Sequence, residues 1–170
     1  MYLSLDLQKV MTKKKVSFEY EEITSIEACD ENIQSLYSEA QKAKEKAYAP
    51  YSNFKVGAAL LLENGEVFTG NNQENAAYPS GLCAERVAIF SAKSKYPDVA
   101  IKSLVIVTSA KNVQAPVSPC GSCRQVLLEY EFAQKKPFDI YLQTKGQGLI
   151  KVASANHLLP FSFNSDMLNG

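Results

Sequence analysis

Residues 83–86 read CAER, and residues 119–125 read PCGSCRQ. These two stretches contain three of the four cysteines of the chain, which are Cys83, Cys120 and Cys123. Zinc usually takes four ligands, and a site with three protein ligands keeps one position for water, which distinguishes catalytic from structural zinc. The two stretches therefore predict a zinc hydrolase with one Zn²⁺ per subunit, in which Glu85 is a carboxylate that does not bind the metal.

The spacing of the cysteines favours a metal site built from two helix N-termini. Cys120 and Cys123 are three residues apart at the start of a predicted helix, so both thiols share one face of its first turn. Cys83 stands at the start of another predicted helix. The partial positive charge of a helix N-terminus favours thiolate over thiol, so we expect lowered cysteine pKa values.

A zinc ion with three thiolates carries a net negative charge, which weakens it as a Lewis acid. Arg86 and Arg124 are adjacent to the two cysteine stretches and are candidate donors to thiolate sulfur, although either would equally suit an ordinary ion pair. Glu85 follows Cys83 by two residues and is the candidate proton carrier. Burial is expected to raise the pKa of its carboxyl group.

Composition restricts the class of protein and of substrate. The chain has 170 residues, of which 46% are hydrophobic, enough for one compact domain. Eighteen basic residues balance eighteen acidic ones, so a nucleic-acid partner is disfavoured and a small neutral substrate is expected. The sequence has no apolar run of membrane-spanning length and no signal-like N-terminus. With so few cysteines, these features predict a cytoplasmic protein without a disulfide scaffold.

Hydrophobic periodicity divides the chain into an N-terminal extension over residues 1–27 and a catalytic domain over residues 28–170. Within the extension, the alternating segment 16–20 predicts at most one strand. In the domain, the pattern predicts helices over 30–47, 83–95 and 120–130, and strands over 54–62, 67–70, 104–107, 138–142 and 149–153. Asn64-Gly65 is typical of a hairpin turn between the first two of these strands. The expected fold class is α/β, with a mixed five-stranded sheet.

Three further stretches make the pattern more specific. Residues 47–52 read AYAPYS, residues 54–60 read FKVGAAL, and residues 70–78 read GNNQENAAY. Together with the cysteine stretches, they make residues 30–168 resemble the small, homotetrameric, three-cysteine cytidine deaminases. Cys-x-Glu followed by Pro-Cys-x-x-Cys is also the signature of zinc-dependent deaminases in general. The resemblance implies a three-layer α-β-α fold and hydrolysis of cytidine and deoxycytidine to uridine and deoxyuridine in pyrimidine salvage.

The resemblance also assigns roles to individual residues. It implies that Asn72 and Glu74 bind the ribose hydroxyl and that Phe54 stacks on the pyrimidine. The backbone amide of Ala84 would meet the pyrimidine carbonyl, while Glu85 would move protons between a zinc-bound water, N3 and the leaving ammonia.

The family assembles as a homotetramer in which an aromatic residue near the C-terminus enters the active site of a neighbouring subunit. Phe163 matches this aromatic best, and Phe161 is a second candidate. The first residues of the chain match nothing in the family, so no role is assigned to them.

Other readings of the same residues remain open at the level of sequence. Cys29 would close a structural four-cysteine zinc site, and Cys120 with Cys123 has the spacing of a redox disulfide. His157 is the sole histidine and is far from the cysteines in sequence, so it is not expected to be a ligand. The alternative functions are deamination of a cytosine-containing antibiotic or related nucleoside, deamination of a polynucleotide or tRNA, and a non-catalytic zinc-binding module.

Overall fold

The computed structural model describes residues 12–110 and 115–168, which form a six-stranded mixed sheet with helices on both faces. The strands occur in the order β1-β6-β5-β4-β2-β3, with β4 and β5 parallel and every other neighbouring pair antiparallel. Their bounds are Glu21–Ile23 (β1), Val56–Leu62 (β2), Val67–Asn71 (β3), Ile101–Thr108 (β4), Asp139–Gln143 (β5) and Leu149–Val152 (β6). The main helices are α1 (Glu31–Glu45), α2 (Ala84–Lys95) and α3 (Gly121–Gln134).

Helix α1 covers one face of the sheet. Its N-cap is Asp30, whose carboxylate accepts hydrogen bonds from the amides of Asn32 and Ile33 at 2.9 and 3.1 Å. The buried residues of α1 recur at helical spacing and pack against alternate residues of β2 and β4. The core between α1 and the sheet contains Ile33, Leu36, Ala40, Ala59, Leu61, Val105 and Val107.

Helices α2 and α3 cover the opposite face. The residues of β2 and β4 that point away from α1 pack here, so both strands are buried on two faces. This explains why the sequence of these strands is a nearly continuous apolar run rather than an alternation. The predicted three-layer α-β-α architecture is confirmed, with α2 and α3 together in the layer that carries the cysteines.

Two glycines let the helices approach the sheet closely. A Cβ atom at Gly57 would lie 2.1 Å from the backbone oxygen of Ala40 in α1. A Cβ atom at Gly70 would lie 2.2 Å from the backbone oxygen of Ala84 in α2. Both distances are far below van der Waals contact, so the absence of a side chain at these positions sets the depth at which each helix sits.

The prediction of a five-stranded sheet is wrong by one strand. The sixth strand is β1, which pairs antiparallel with β6, with Glu21 opposite Lys151 and Ile23 opposite Leu149. The alternating segment 16–20, which indicated a strand, has no regular secondary structure. A three-residue edge strand of sequence EEI has too little apolar alternation to be recognised, and it is fixed instead by pairing with β6.

The segment before β1 lies along the molecule near its C-terminal part. The ring of Phe18 stacks on the ring of His157 with centroids 5.7 Å apart. Residues 1–11 of the expected extension lie outside the described residues, so the extension is described here only from residue 12 onward. Among the helices of the described part of the chain, none has both the length and the apolar character needed to cross a membrane.

Candidate active site

The three cysteines of the two sequence stretches meet where α2 and α3 begin. Cys83 is the N-cap of α2, Cys120 is the N-cap of α3, and Cys123 lies in the first turn of α3. Their sulfur atoms all lie within 4.8 Å of one another, and the sulfurs of Cys83 and Cys120 are 3.8 Å apart. Both helix N-termini therefore direct their partial positive charge at one cluster of sulfur atoms, as the sequence predicts.

The donor set fits a zinc ion. A tetrahedral zinc with Zn–S bonds of about 2.3 Å holds its sulfur ligands roughly 3.8 Å apart. That spacing matches the measured separation of the Cys83 and Cys120 sulfurs. Cys123 is fully buried, so its thiol is removed from solvent and faces the other two. The cluster is therefore a candidate zinc site with three protein ligands.

The electrostatics of the cluster favour a thiolate at Cys83. The pKa of Cys83 is lowered to about 5, first by a hydrogen bond with Cys123 and then by Arg86 and Cys120. The negative charge that results on Cys83, together with burial, raises the pKa of the Cys123 thiol. A divalent cation bound by the three sulfurs would displace their protons.

The two candidate arginines have different partners. Nη2 of Arg86 lies 3.9 Å from the sulfur of Cys83 and 3.4 Å from the backbone oxygen of Gly81. Arg124 directs its guanidinium away from the thiols, donating to the backbone oxygens of Pro119 and Leu158 at 2.7 and 3.1 Å. Its remaining nitrogen donates to Ser118 at 3.0 Å. Arg86 is thus the arginine that the fold places at the cluster, whereas Arg124 ties the α3 N-terminus to neighbouring loops.

Glu85 is in the first turn of α2 and is 5% exposed. Burial raises the pKa of its carboxyl group to about 7, and the charge on Cys83 adds to the rise, while a hydrogen bond with Cys123 opposes it. A carboxyl group with this pKa exchanges a proton readily near neutral pH, which is the property that a general acid-base group needs. The structure thus places a buried carboxyl group with this property beside the three thiols.

The alternative metal arrangements do not fit the structure. Cys29 packs at the edge of the core under α1, on the other face of the sheet, so it does not close a four-cysteine site. The metal-binding group found in residues 12–110 and 115–168 consists of the three cysteines and does not include His157. All four cysteines are free, and no Cys120–Cys123 disulfide is formed. Of the arrangements considered, an open three-thiol site remains.

A cavity of about 450 Å³ opens beside Cys83. Backbone pairing fixes its walls, because Gln73 exchanges two hydrogen bonds with Leu82 while Glu74 donates to the backbone oxygen of Tyr48 at 2.9 Å. The lining includes Cys83 of the thiol cluster and residues of the 51–52 and 72–75 segments. Its size and polar edge suit a small polar ligand such as a nucleoside.

Asn72 and Glu74 both line this cavity, and both bind the segment that precedes β2. Asn72 donates to the backbone oxygen of Phe54 at 2.9 Å and accepts from the amide of Val56 at 2.8 Å. The Glu74 carboxylate accepts from the amides of Tyr51 and Ser52 at 2.9 and 3.3 Å, and also from the Ser52 hydroxyl. The two residues that the resemblance assigns to the sugar are thus also the residues that hold this loop.

The other expected substrate contacts have the following positions. Ala84 is the fully buried first residue of α2, at the helix end that faces the thiol cluster. Phe54 lies on the loop held by Asn72, and its side chain is 37% exposed. Phe163 is 56% exposed, and its backbone oxygen accepts a hydrogen bond from Gln125 at 2.9 Å. Phe161 is still more exposed. The structure of the single chain leaves the three aromatic rings accessible, and their roles stay predictions.

Sequence reasoning did not single out Tyr51, Ser52 or Tyr78, which line the cavity. Tyr51 and Ser52 lie in one of the stretches that carry the resemblance, but the resemblance implies no role for either side chain. Tyr78 ends another such stretch, and its ring meets that of Tyr51 edge-on with centroids 6.4 Å apart. The two tyrosines form an exposed aromatic rim beside the cavity.

Comparison with known proteins agrees with this geometry. Residues 30–136 match the family model for the cytidine and deoxycytidylate deaminase zinc-binding region. The chain is 40% identical over 138 residues to the cytidine deaminase of Sporosarcina psychrophila. The aligned residues cover 81% of this chain and 96% of that protein. It is 42% identical to the cytidine deaminase of Halalkalibacterium halodurans, over 80% of this chain and 97% of that one.

Solved structures show the same relationship. The crystal structure of cytidine deaminase from Burkholderia pseudomallei is similar with a TM-score of 0.66 and 44% identity, covering 76% of this chain and 98% of that chain. The structure of cytidine deaminase from Mycobacterium tuberculosis is similar with a TM-score of 0.60 and 33% identity, covering 79% of this chain and 98% of that one. A cluster of three thiols with an adjacent buried carboxylate, on this fold and with these relatives, establishes that the chain belongs to the cytidine and deoxycytidylate deaminase family.

Proposed function

We propose that this protein catalyses the zinc-dependent hydrolytic deamination of cytidine and deoxycytidine to uridine and deoxyuridine. The observation that carries the proposal is the cluster of three thiols at two helix N-termini, with Glu85 buried beside it. The relatives that are cytidine deaminases by name match this chain over nearly their whole length, which supports the same reaction here.

The three cysteines would hold the zinc ion, which when bound supplies Lewis-acid activation of a water molecule for attack at C4 of the cytosine ring. Glu85 accepts a proton from that water and delivers it to N3 of the ring. The same carboxyl group then takes the proton of the new hydroxyl at C4 and delivers it to the amino group, so that ammonia leaves as the C4 carbonyl forms. Arg86 offsets part of the thiolate charge through its contact with Cys83.

The substrate contacts follow from the same proposal. Phe54 stacks on the pyrimidine, and the backbone amide of Ala84 donates to the pyrimidine carbonyl. Asn72 and Glu74 bind the sugar hydroxyl at the cavity that they line. Because these groups are fixed before substrate binds, they orient the ring without reorganisation during the reaction.

We further propose a homotetramer in which Phe163 completes the site of a neighbouring subunit, and a role in cytoplasmic pyrimidine salvage. The high exposure of the aromatic residues in the C-terminal part supports burial against another copy of the chain. The catalytic domain comprises residues 28–170, and residues 1–27 form an extension. Part of that extension, β1, is joined to the sheet of the domain.

The proposed reaction can be tested by the loss of cytidine absorbance, measured with purified wild-type protein and with Glu85→Gln. Deoxycytidine and a cytosine-containing antibiotic, assayed in parallel, distinguish a nucleoside deaminase from a relative with another substrate. We expect Glu85→Gln to retain zinc, as measured by metal analysis, and to lose turnover by about 10³-fold or more, since general acid-base groups contribute on the order of 10²–10⁴-fold.

The matched control is Glu129→Gln, which changes an exposed glutamate on α3. This variant should keep both its zinc and wild-type turnover. Unchanged activity of Glu85→Gln would remove Glu85 from the mechanism. A wild-type protein that binds zinc but turns over no cytosine nucleoside would favour the non-catalytic zinc-binding module.

A further inference from the structure

The loop that precedes β2 is held in place mainly by side chains. The Glu74 carboxylate binds the amides of Tyr51 and Ser52 at 2.9 and 3.3 Å. Asn72 binds the backbone of Phe54 and Val56 on the far side of the turn. These bonds position the loop relative to the cavity, and they are made by residues more than fifteen positions away in sequence.

Ser52 connects the Glu74 carboxylate with the backbone of Phe54. Its hydroxyl donates to one oxygen of the Glu74 carboxylate, and the same hydroxyl accepts a hydrogen bond from the amide of Phe54 at 3.0 Å. A serine hydroxyl has one proton to donate, and here that proton is committed to Glu74. The hydroxyl is therefore the atom that links the carboxylate expected to bind the sugar with the residue expected to stack on the base.

The backbone between them needs such support. Asn53, the residue between Ser52 and Phe54, has a φ of +54°, in the left-handed region. Asparagine tolerates this region better than most residues, but the conformation still needs surrounding contacts to persist. The Ser52 hydroxyl spans Asn53 by accepting from the Phe54 amide, so it stabilises the turn that sets the direction of the Phe54 side chain.

We propose that Ser52 is a positioning residue for substrate binding, which fixes the Glu74 carboxylate and Phe54 relative to each other so that sugar and base are bound together. The inference rests on the proposed function, since it assigns Ser52 a part in the binding of the nucleoside. It adds a residue that touches the expected contact residues and that carries out no step of the chemistry itself.

The electrostatics of Glu74 agree with this role. The pKa of Glu74 is held below its ordinary value, first by the hydrogen bond from the Ser52 hydroxyl and next by the Tyr51 amide. An ionised carboxylate is an acceptor only, so it presents free lone pairs to a sugar hydroxyl that needs an acceptor. Ser52 therefore keeps Glu74 both oriented and in the form that binds a hydroxyl group.

The experiment compares the steady-state kinetics of Ser52→Ala and Ser52→Thr with cytidine, using Ser94→Ala as the control. Among the residues that the structure describes, the Ser94 hydroxyl bonds only to the backbone oxygen of Ser91, on the exposed part of α2. We expect Ser52→Ala to raise KM about tenfold, the usual effect of losing one hydrogen bond to a charged group, with kcat within about twofold of wild type. Ser52→Thr keeps the hydroxyl and should recover most of the loss.

A double-mutant cycle with Glu74→Gln separates positioning from a general effect on folding. If Ser52 acts through Glu74, the Ser52→Ala change adds little to the KM of Glu74→Gln. Independent, multiplicative effects on KM would overturn the proposal, as would a KM of Ser52→Ala within twofold of wild type, or a loss confined to kcat. If the wild-type and Ser94→Ala proteins deaminate cytidine, any of these outcomes overturns the role of Ser52 but not the proposed function. An inactive wild-type protein would overturn both the proposed function and the role of Ser52.

Discussion

Arg86 and Arg124 each follow a metal-binding cysteine in sequence, yet their guanidinium groups have different partners in the fold. Arg86 contacts the sulfur of Cys83, while Arg124 donates to three groups of the surrounding loops. Sequence does not distinguish the two, because the direction of each side chain depends on the loops that pack beside each helix. The fold therefore places one arginine against a cluster thiol, where it is the candidate for charge compensation, and uses the other to anchor loops.

This difference predicts opposite effects for two matched substitutions. Arg86→Gln should weaken zinc binding by about 10- to 100-fold, the usual effect of removing a group that supports a metal ligand, and leave thermal stability nearly unchanged. Arg124→Gln should keep its zinc affinity but lower the free energy of unfolding by roughly 1–3 kcal/mol, because buried acceptors lose their donor. Competition with a chelator and thermal unfolding of the metal-loaded proteins measure the two effects. Equal zinc affinities for both variants would contradict the assignment of Arg86.

At the residue scale, the meeting of the three cysteines beside a buried Glu85 is predictable from sequence, since thiol and carboxyl chemistry determines the spacing. The partners of Asn72 and Glu74 are not, because hydrogen bonds to the 51–56 loop depend on the conformation of that loop. In particular, the role of Ser52 follows from the positive φ of Asn53, and local sequence does not specify that angle.

At the scale of helices and strands, the sequence predicts the bounds well where hydrophobic periodicity is strong. Strands β2 and β4 and helices α1 and α2 occur within a few residues of the expected bounds, because their apolar residues face a core. Strand β1 is missed for the opposite reason, since its three residues are mostly exposed and contribute few apolar contacts. Its existence depends on the free edge of β6, which is a property of the assembled sheet.

Close approach of helices to the sheet gives a prediction for Gly70 and Gly57. A methyl group at Gly70 would meet the backbone of α2, which carries Cys83 at its N-cap, so Gly70→Ala should displace the helix and reduce both zinc content and turnover. Gly57→Ala would displace α1 on the opposite face, and it should cost about 1–3 kcal/mol of stability as overpacking does, while any folded protein keeps its zinc. Metal analysis and thermal unfolding of both variants test this.

Gly121→Ala is the control for these substitutions. Gly121 is the first residue of α3, and a methyl group there would meet no atom within 4 Å. We expect its melting temperature to equal or slightly exceed that of the wild type, because alanine reduces the freedom of the unfolded chain. Full zinc content and turnover in Gly70→Ala would show that α2 tolerates the displacement.

On the scale of the whole molecule, the candidate site draws on segments that are far apart in sequence. The sulfurs belong to the starts of α2 and α3, the residues expected to bind the sugar follow β3, and the expected stacking ring precedes β2. Sequence resemblance alone indicates that a further ring comes from a second subunit, since a single chain contains none of the contacts between subunits. The sharing of Phe163 is therefore best tested on mixed assemblies.

Sharing of the site predicts that two impaired variants restore activity when combined. Glu85→Gln lacks the proton carrier and Phe163→Ala lacks the contributed ring, so each alone should be strongly impaired. In co-expressed mixed tetramers, about a quarter of the sites would combine an intact Glu85 with an intact Phe163 if subunits assort at random. Turnover of the mixture above the sum of the separate variants measures this complementation.

Phe161→Ala provides the comparison that distinguishes the two C-terminal aromatics. If Phe163 is the shared residue, Phe161→Ala alone should lose much less activity than Phe163→Ala. A mixture without regained activity, or a monomeric mass by light scattering at micromolar concentration, would contradict a shared site.

The pairing of β1 with β6 also has a consequence for how the chain is made. During translation the residues of β1 leave the ribosome long before their partner, since Ile23 lies opposite Leu149. Until β6 has emerged, β1 has no strand beside it and β5 lacks its neighbour on that side. Such long-range closure slows folding, so the nascent polypeptide completes its sheet only after β6 has left the ribosome, and an N-terminal fusion partner would be attached to an unpaired β1 until then.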